Sequence, residues 1–290
     1  MTPAQFRSAV QRAQRAVDQY NREARRHNAS LKQAISNYNR EVRTYNSKVR
    51  QYNQRVESQQ RRLNQEIRRL QSRPTSTSFT TVRTTTTSFV TAYGRAETQL
   101  SGSTGATKEY LDLASDEAAN SVYLLNALDG DGNPDDDMSP EELAAPSLAT
   151  ELARFGSNIM DRWTGALFSL SPQNPDAARH FCTSAREVVI SILDTSAPDE
   201  QVIRRMPDCE LTDKKVPTRR AKVTYLLREK GVDSEDLADA VAADMDNVLS
   251  LFRVFNDGTH GHAGRFSITE LTAIRTRVEG AVAFLSKLTA

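Results

Sequence analysis

Arg253, His260 and His262 stand close together in FRVFNDGTHGHAGRF, residues 252–266. The chain has four histidines, and two of them lie two residues apart here. An imidazole with an ordinary pKa of about 6.5 can take or give a proton at neutral pH. A guanidinium stays charged and can hold a phosphate and the charge that develops on it. Together these groups suit metal-independent cleavage of a phosphodiester, with the neighbouring 2′-hydroxyl of RNA as nucleophile. A metal site would need a third ligand beside the two imidazoles; Asp257 is near, but His-x-His alone is a weak signature, and no metal or other cofactor is expected. Arg219, Arg220 and Asn256 join the group as candidate nucleic-acid contacts. Arg219 and Arg220 open a predicted helix, where positive charge opposes the helix dipole. A bound phosphate would offset that, and so would an ion pair with Glu187 or Asp176. Arg253 also has a plain reading as a cation favoured at a helix C-terminus.

Helices must position these groups. Apolar periodicity and capping residues predict helices over about 107–128, 147–170, 174–194, 198–205, 217–230, 234–256 and 267–288. Gly258 is the residue expected just past a helix end. Arg253 then falls in the last turn of one long helix, and His260 and His262 fall on a short loop before the next. Ser267 and Glu270 form a capping box for the last helix. The body, residues 107–290, is expected to be an all-α bundle.

Ahead of the body lies a very different segment. Residues 1–73 hold no glycine and no proline after Pro3, and Thr2-Pro3-Ala4-Gln5 reads as a helix start. Pro74 stops it. The apolar seam steps by four and three through Phe6, Val10, Ala13, Val17, Tyr20, Ala24, His27 and Leu31. It resumes from Ile35, and Tyr38-Asn39, Tyr45-Asn46 and Tyr52-Asn53 recur at a period of seven. This is a heptad array with one stutter, expected to act as a coiled-coil arm. Its arginines could instead grip nucleic acid, with Tyr stacking on bases. The Tyr residues lie on the seam and the Arg residues on its flanks, which favours packing. Residues 74–106, rich in Thr and Ser and carrying Gly94, Gly102 and Gly105, read as a linker, extended or strand-like in part.

Charge divides the chain the same way. Residues 1–72 carry 16 Lys/Arg against 5 Asp/Glu, a net +11; the remainder carries 22 against 32, a net −10. A basic arm suits a phosphate backbone or an acidic protein surface. The acidic window DGDGNPDDDMSPEE, residues 129–142, resembles a calcium loop in its first positions. Pro134 and Pro140 occupy the glycine and glutamate places, so a solvated turn leading to a helix capped by Ser139 is expected instead. Cys182 and Cys209 have neither disulfide nor zinc spacing and read as buried thiols. No apolar run is long enough to span a membrane, and the first residues lack a signal-peptide core. The expected location is the cytoplasm.

The stretch from Arg253 to His260 fits the Arg-x(4–6)-His spacing of HEPN-domain ribonucleases. With NPDAARHFCTSAREVV and PTRRAKVTYLL, the region from about 146 to 288 also resembles the helical domain of predicted nucleases associated with prokaryotic PIWI proteins. Val254 stands where HEPN motifs usually carry a polar residue. The resemblance implies a dimeric helical domain with two motifs facing across an interface, RNA as substrate, and a role in bacterial anti-phage defence or toxin action beside a defence-system partner protein. Within that frame His260 is the acid or base, Arg253 the phosphate clamp and His262 a second candidate. The chain is expected to form a homo-oligomer through the arm and the bundle. The competing expectation is a non-catalytic scaffold, with the same fold serving as a dimerisation module.

Overall fold

The computed structural model describes residues 3–72, 79–171, 173–257 and 266–290. Its architecture is all-α, and among the described residues the only β-type pairing is one bridge between Leu211 and Pro217. The chain divides into two units, Met1–Asn64 and Gln65–Ala290.

The described residues of the first unit lie within α1, Pro3–Ser72, a helix of 70 residues. That is about 105 Å at 1.5 Å per residue. Side chains four apart support it: Gln19 donates to Glu23 at 3.0 Å and Gln33 to Asn37 at 3.3 Å. Along the seam, Val17, Tyr20, Leu31, Ile35, Tyr38 and Tyr45 are all exposed. The expected cap at Thr2 and stop at Pro74 lie outside the described residues.

The second unit is a bundle built on α10, Glu235–Asp257, which buries Leu237, Val241, Met245, Val248, Phe252 and Phe255. Against it pack α2 (Thr80–Gln99), α3 (Ala106–Leu128), α7 (Ala177–Ser196), α9 (Arg219–Glu229) and α11 (Ile268–Leu288). Shorter helices complete the unit: α4 (Pro140–Ala144), α5 (Ala149–Leu152), α6 (Ser157–Phe168) and α8 (Asp199–Arg205). Trp163 of α6 is buried against Phe181 of α7, ring centroids 5.9 Å apart, and its indole N–H donates to the Ser147 carbonyl at 3.0 Å. Ser139 and Ser267 both form capping boxes, with Glu142 and Glu270.

The Thr-rich stretch departs from the extended segment its β-branched composition suggests. Residues 80–99 are the helix α2, and it packs along α10. Val82, Thr86, Phe89, Tyr93 and Ala96 step by four and three and are buried. Five threonine hydroxyls turn back onto carbonyls four residues earlier: Thr84, Thr85, Thr87, Thr91 and Thr98. Helical backbone thus satisfies the hydroxyls, and burial of one face outweighs weak local propensity. A second departure is the helix expected over 147–170. Gly156, at φ +91°, separates α6 from a short 3₁₀ turn and α5, because only glycine takes that backbone without strain.

At the centre sits a charged cluster. Arg277 of α11 is fully buried. It donates to Glu117 of α3 at 2.5 Å, to Asp244 of α10, and to Asn247 of α10 at 3.1–3.2 Å. Burial pushes the Glu117 carboxyl up to about 8, against the opposing pull of Arg277. Asp244 is raised for the same reason. One guanidinium between two desolvated carboxyls favours keeping one of them protonated. Gly280 of α11 faces this spot, where a Cβ would collide with the Glu117 carboxyl. Asn247 ties the cluster to α2, donating to Thr86 at 2.9 Å and Thr85 at 3.1 Å.

Candidate nucleic-acid groove

Arg253 lies in α10 just before its last turn, not within that turn as expected, because the helix runs on to Asp257. Its side chain is exposed, and its Nε donates to the Leu249 carbonyl one turn back at 3.4 Å. His260 and His262, together with Gly258, lie outside the described residues. Asn256 is in the last turn of α10, and its side chain also lies outside what is described. The structure therefore brings together Arg253, Arg219 and Arg220 of the expected site.

These three arginines line one groove of about 1030 Å³, bounded by α2, α7, α9 and α10. Two of the three are already neutralised. α9 begins at Thr218, whose hydroxyl accepts from the Ala221 amide at 3.2 Å. Arg219 and Arg220 follow in its first turn, where the dipole opposes them. Asp239 and Asp246, seven residues apart and so on one face of α10, answer them. Arg220 Nε donates to Asp239 at 2.6 Å, and Arg219 pairs with Asp246. The hydrogen bond that Arg220 donates to Asp239 raises the Arg220 pKa. The acid partners expected from sequence, Glu187 and Asp176, are not the ones used. Asp176 instead holds Arg179 at 2.6 Å and lies 3.7 Å from His180. The reason is geometric: α9 lies along α10, so the acids of α10 are the ones in reach. Lys222, nearly buried, is shared by Asp194 at 2.6 Å and Asp199 at 2.8 Å. Burial alone would lower its pKa, and these two bonds more than reverse that.

The same groove holds two arginines outside the expected site, Arg95 of α2 and Arg186 of α7. Both are exposed. Among the described residues, no carboxylate pairs with Arg95, Arg186 or Arg253. The lining also carries apolar side chains, among them Ala92, Val189 and Leu249. The groove thus holds ion-paired cations on α9 and, on α2, α7 and α10, three arginines with no described carboxylate partner. Arg95 is hidden in the sequence because its segment reads as a linker. Arg186 is hidden because Arg186-Glu187 reads first as an ion pair within the bundle.

Other features stand apart. The acidic turn forms local structure: Asn133 accepts from the Asp135 amide at 3.3 Å and donates to Asp136 at 3.2 Å. Cys182 is buried with its thiol pushed up by desolvation, and Cys209 is half-buried and free. Among the described residues, no three His, Cys, Asp or Glu side chains are grouped to hold a metal ion. Among them too, no helix is long and apolar enough to cross a membrane.

An all-α domain with a cationic groove is the class of structure these observations define. Residues 152–285 match the model of a family described as predicted pPIWI-associating nuclease. The matched region is similar to a nuclease domain; it runs from the end of α5 to near the end of α11 and includes Arg186, Arg219, Arg220 and Arg253, while α2 with Arg95 lies outside it. No curated protein matches the chain. No solved structure matches it either.

Proposed function

We propose that the chain is a metal-independent endoribonuclease of HEPN-like type, acting in bacterial anti-phage defence or a toxin system. The observation that carries this reading is Arg253: an exposed guanidinium with no described carboxylate partner, opening onto the groove in a region similar to a nuclease family. His260 and His262 follow Arg253 at seven and nine residues. In the proposed reaction an imidazole takes the proton from the 2′-hydroxyl. The 2′-oxygen bonds to phosphorus, the bond to the 5′-oxygen breaks, and a second proton donor protonates that oxygen. The products are a 2′,3′-cyclic phosphate and a 5′-hydroxyl, with no water or metal consumed. Arg253 holds the non-bridging oxygens as charge accumulates on them. Arg219, Arg220 and Asn256 are proposed contacts to the strand. For Arg219 and Arg220 that role requires sharing guanidiniums already bonded to Asp246 and Asp239.

The arm is proposed to oligomerise the chain or target it to a partner, and the exposed seam from Val17 to Tyr45 supports that. An assembly would bring two copies of the motif together and supply both imidazoles. Incubation of purified protein with RNA in the presence of a chelator tests the reaction. Cyclic-phosphate ends should appear. His260→Ala should abolish them, and Arg253→Ala should slow their formation by about 10²–10³-fold with the melting temperature unchanged. Cleavage that survives His260→Ala would sink the mechanism.

A further inference from the structure

We infer that Arg95, Arg186 and Arg253 form a three-point guanidinium track that holds the phosphodiester backbone of a single nucleic-acid strand. The inference rests on the proposed nuclease reading for the identity of the ligand. It adds two residues, one of them outside the region similar to the nuclease family.

Part of the positive charge in the groove is already spent. On the α9 side, Arg219, Arg220 and Lys222 are each bonded to carboxylates. An anion there must compete with Asp246, Asp239, Asp194 and Asp199. Arg95, Arg186 and Arg253 come from three separate helices, line the same cavity, and have no described carboxylate partner. Exposed arginines gain little from one another, and an anion in the groove is what can engage all three. A groove of about 1030 Å³ is large for one small anion. A strand presents several phosphates in sequence and suits three guanidiniums spread over α2, α7 and α10. The apolar side chains Ala92, Val189 and Leu249 in the same lining can take sugars and base faces. Arg253 at one position of the track would place a scissile phosphate, and Arg95 and Arg186 would hold its neighbours. They are positioning residues and take no part in proton transfer.

Binding of a labelled 2′-O-methyl oligouridylate to the full chain, followed by fluorescence anisotropy, tests this, because the probe has no 2′-hydroxyl to react. Arg95→Ala with Arg186→Ala should weaken binding about tenfold or more near 0.1 M salt. The slope of log Kd against log salt should fall by about 1.4, two contacts at about 0.7 each on a single strand. The charge-matched pair Arg162→Ala with Arg228→Ala, both exposed outside the groove, should leave Kd within about twofold of the parent. Arg95→Lys with Arg186→Lys keeps two point charges and should restore most of the salt slope. On cleavable RNA the alanine pair should raise KM and leave kcat near the parent value. The inference is overturned if the groove pair binds as the parent does, or loses no more than the control pair. A chain that binds the probe through Arg95 and Arg186 but never cuts RNA keeps the track and removes the nuclease proposal. A chain that cuts normally with the groove pair replaced does the reverse.

Discussion

Arg277 and Arg253 are both helical arginines of the same bundle, and their surroundings set them to opposite uses. Arg277 is fully buried between Glu117 and Asp244, with Asn247 taking two more of its N–H groups. Arg253 is exposed on a groove wall shared with Arg95 and Arg186, with no described carboxylate near enough to pair. A desolvated charge needs partners within the fold, because losing them leaves the rest of the cluster buried and unmatched. A solvated charge needs none and remains available to a ligand. Arginine content therefore says little here about nucleic-acid binding; what distinguishes the two sites is whether carboxylates lie within reach.

The comparison is easiest to break at its buried end. Arg277→Ala should destabilise the second unit by about 3–5 kcal/mol, the cost of stranding buried carboxyls. Chemical denaturation followed by circular dichroism checks this, and a loss under about 1 kcal/mol would mean that the cluster is not the anchor its burial implies. A smaller effect should come from pH. The Glu117 carboxyl is raised from 4.5 to about 8 in the folded state. A raised acid contributes stability that is fully present below about 4.5 and is lost as pH rises toward about 8. Melting temperature measured across that range should therefore fall with rising pH, and Glu117→Gln should flatten the fall. The mildest change is expected on the α9 side of the groove. Arg219 and Arg220 form exposed pairs, so Arg219→Ala should shift stability by no more than about 1 kcal/mol. It should also weaken oligouridylate binding less than Arg95→Ala, as anisotropy titration at one salt concentration can show. The reverse ranking would erase the distinction between the paired arginines and those with no described carboxylate partner.

Much of the scaffold is legible in the amino-acid sequence itself. Capping residues and 3.6-residue periodicity locate α3, α7, α9, α10 and α11 to within a few residues, because long amphipathic helices bury one face and carry their stop signals with them. α2 escapes that reading for a physical reason. Threonine is β-branched, which lowers intrinsic helix propensity, and the run of them masks the spacing of Val82, Thr86, Phe89, Tyr93 and Ala96. The spacing carries the answer, since tertiary burial overrides propensity. At the site, Arg253 is recognisable from its neighbours in sequence. Arg95 and Arg186 are not, because nothing local links them to Arg253, which follows them by 158 and 67 positions. The partners of Arg219 and Arg220 likewise require knowing that α9 lies on α10.

The seating of α2 bears on what can stand alone. Asn247 sends its amide to Thr85 and Thr86, Ser250 meets Thr85 at 2.8 Å, and Phe255 packs near Phe79 with centroids 6.4 Å apart. All of these α2-side partners precede residue 152, where the likeness to nucleases begins. So do Glu117 and the whole of α3. A fragment trimmed to the matched region would present α10 with a bare apolar stripe, an orphaned amide and a guanidinium missing one of its two carboxylates. Such a piece invites aggregation. A portion expected to fold alone therefore keeps Phe79, α2 and α3, all upstream of the boundary that family likeness draws.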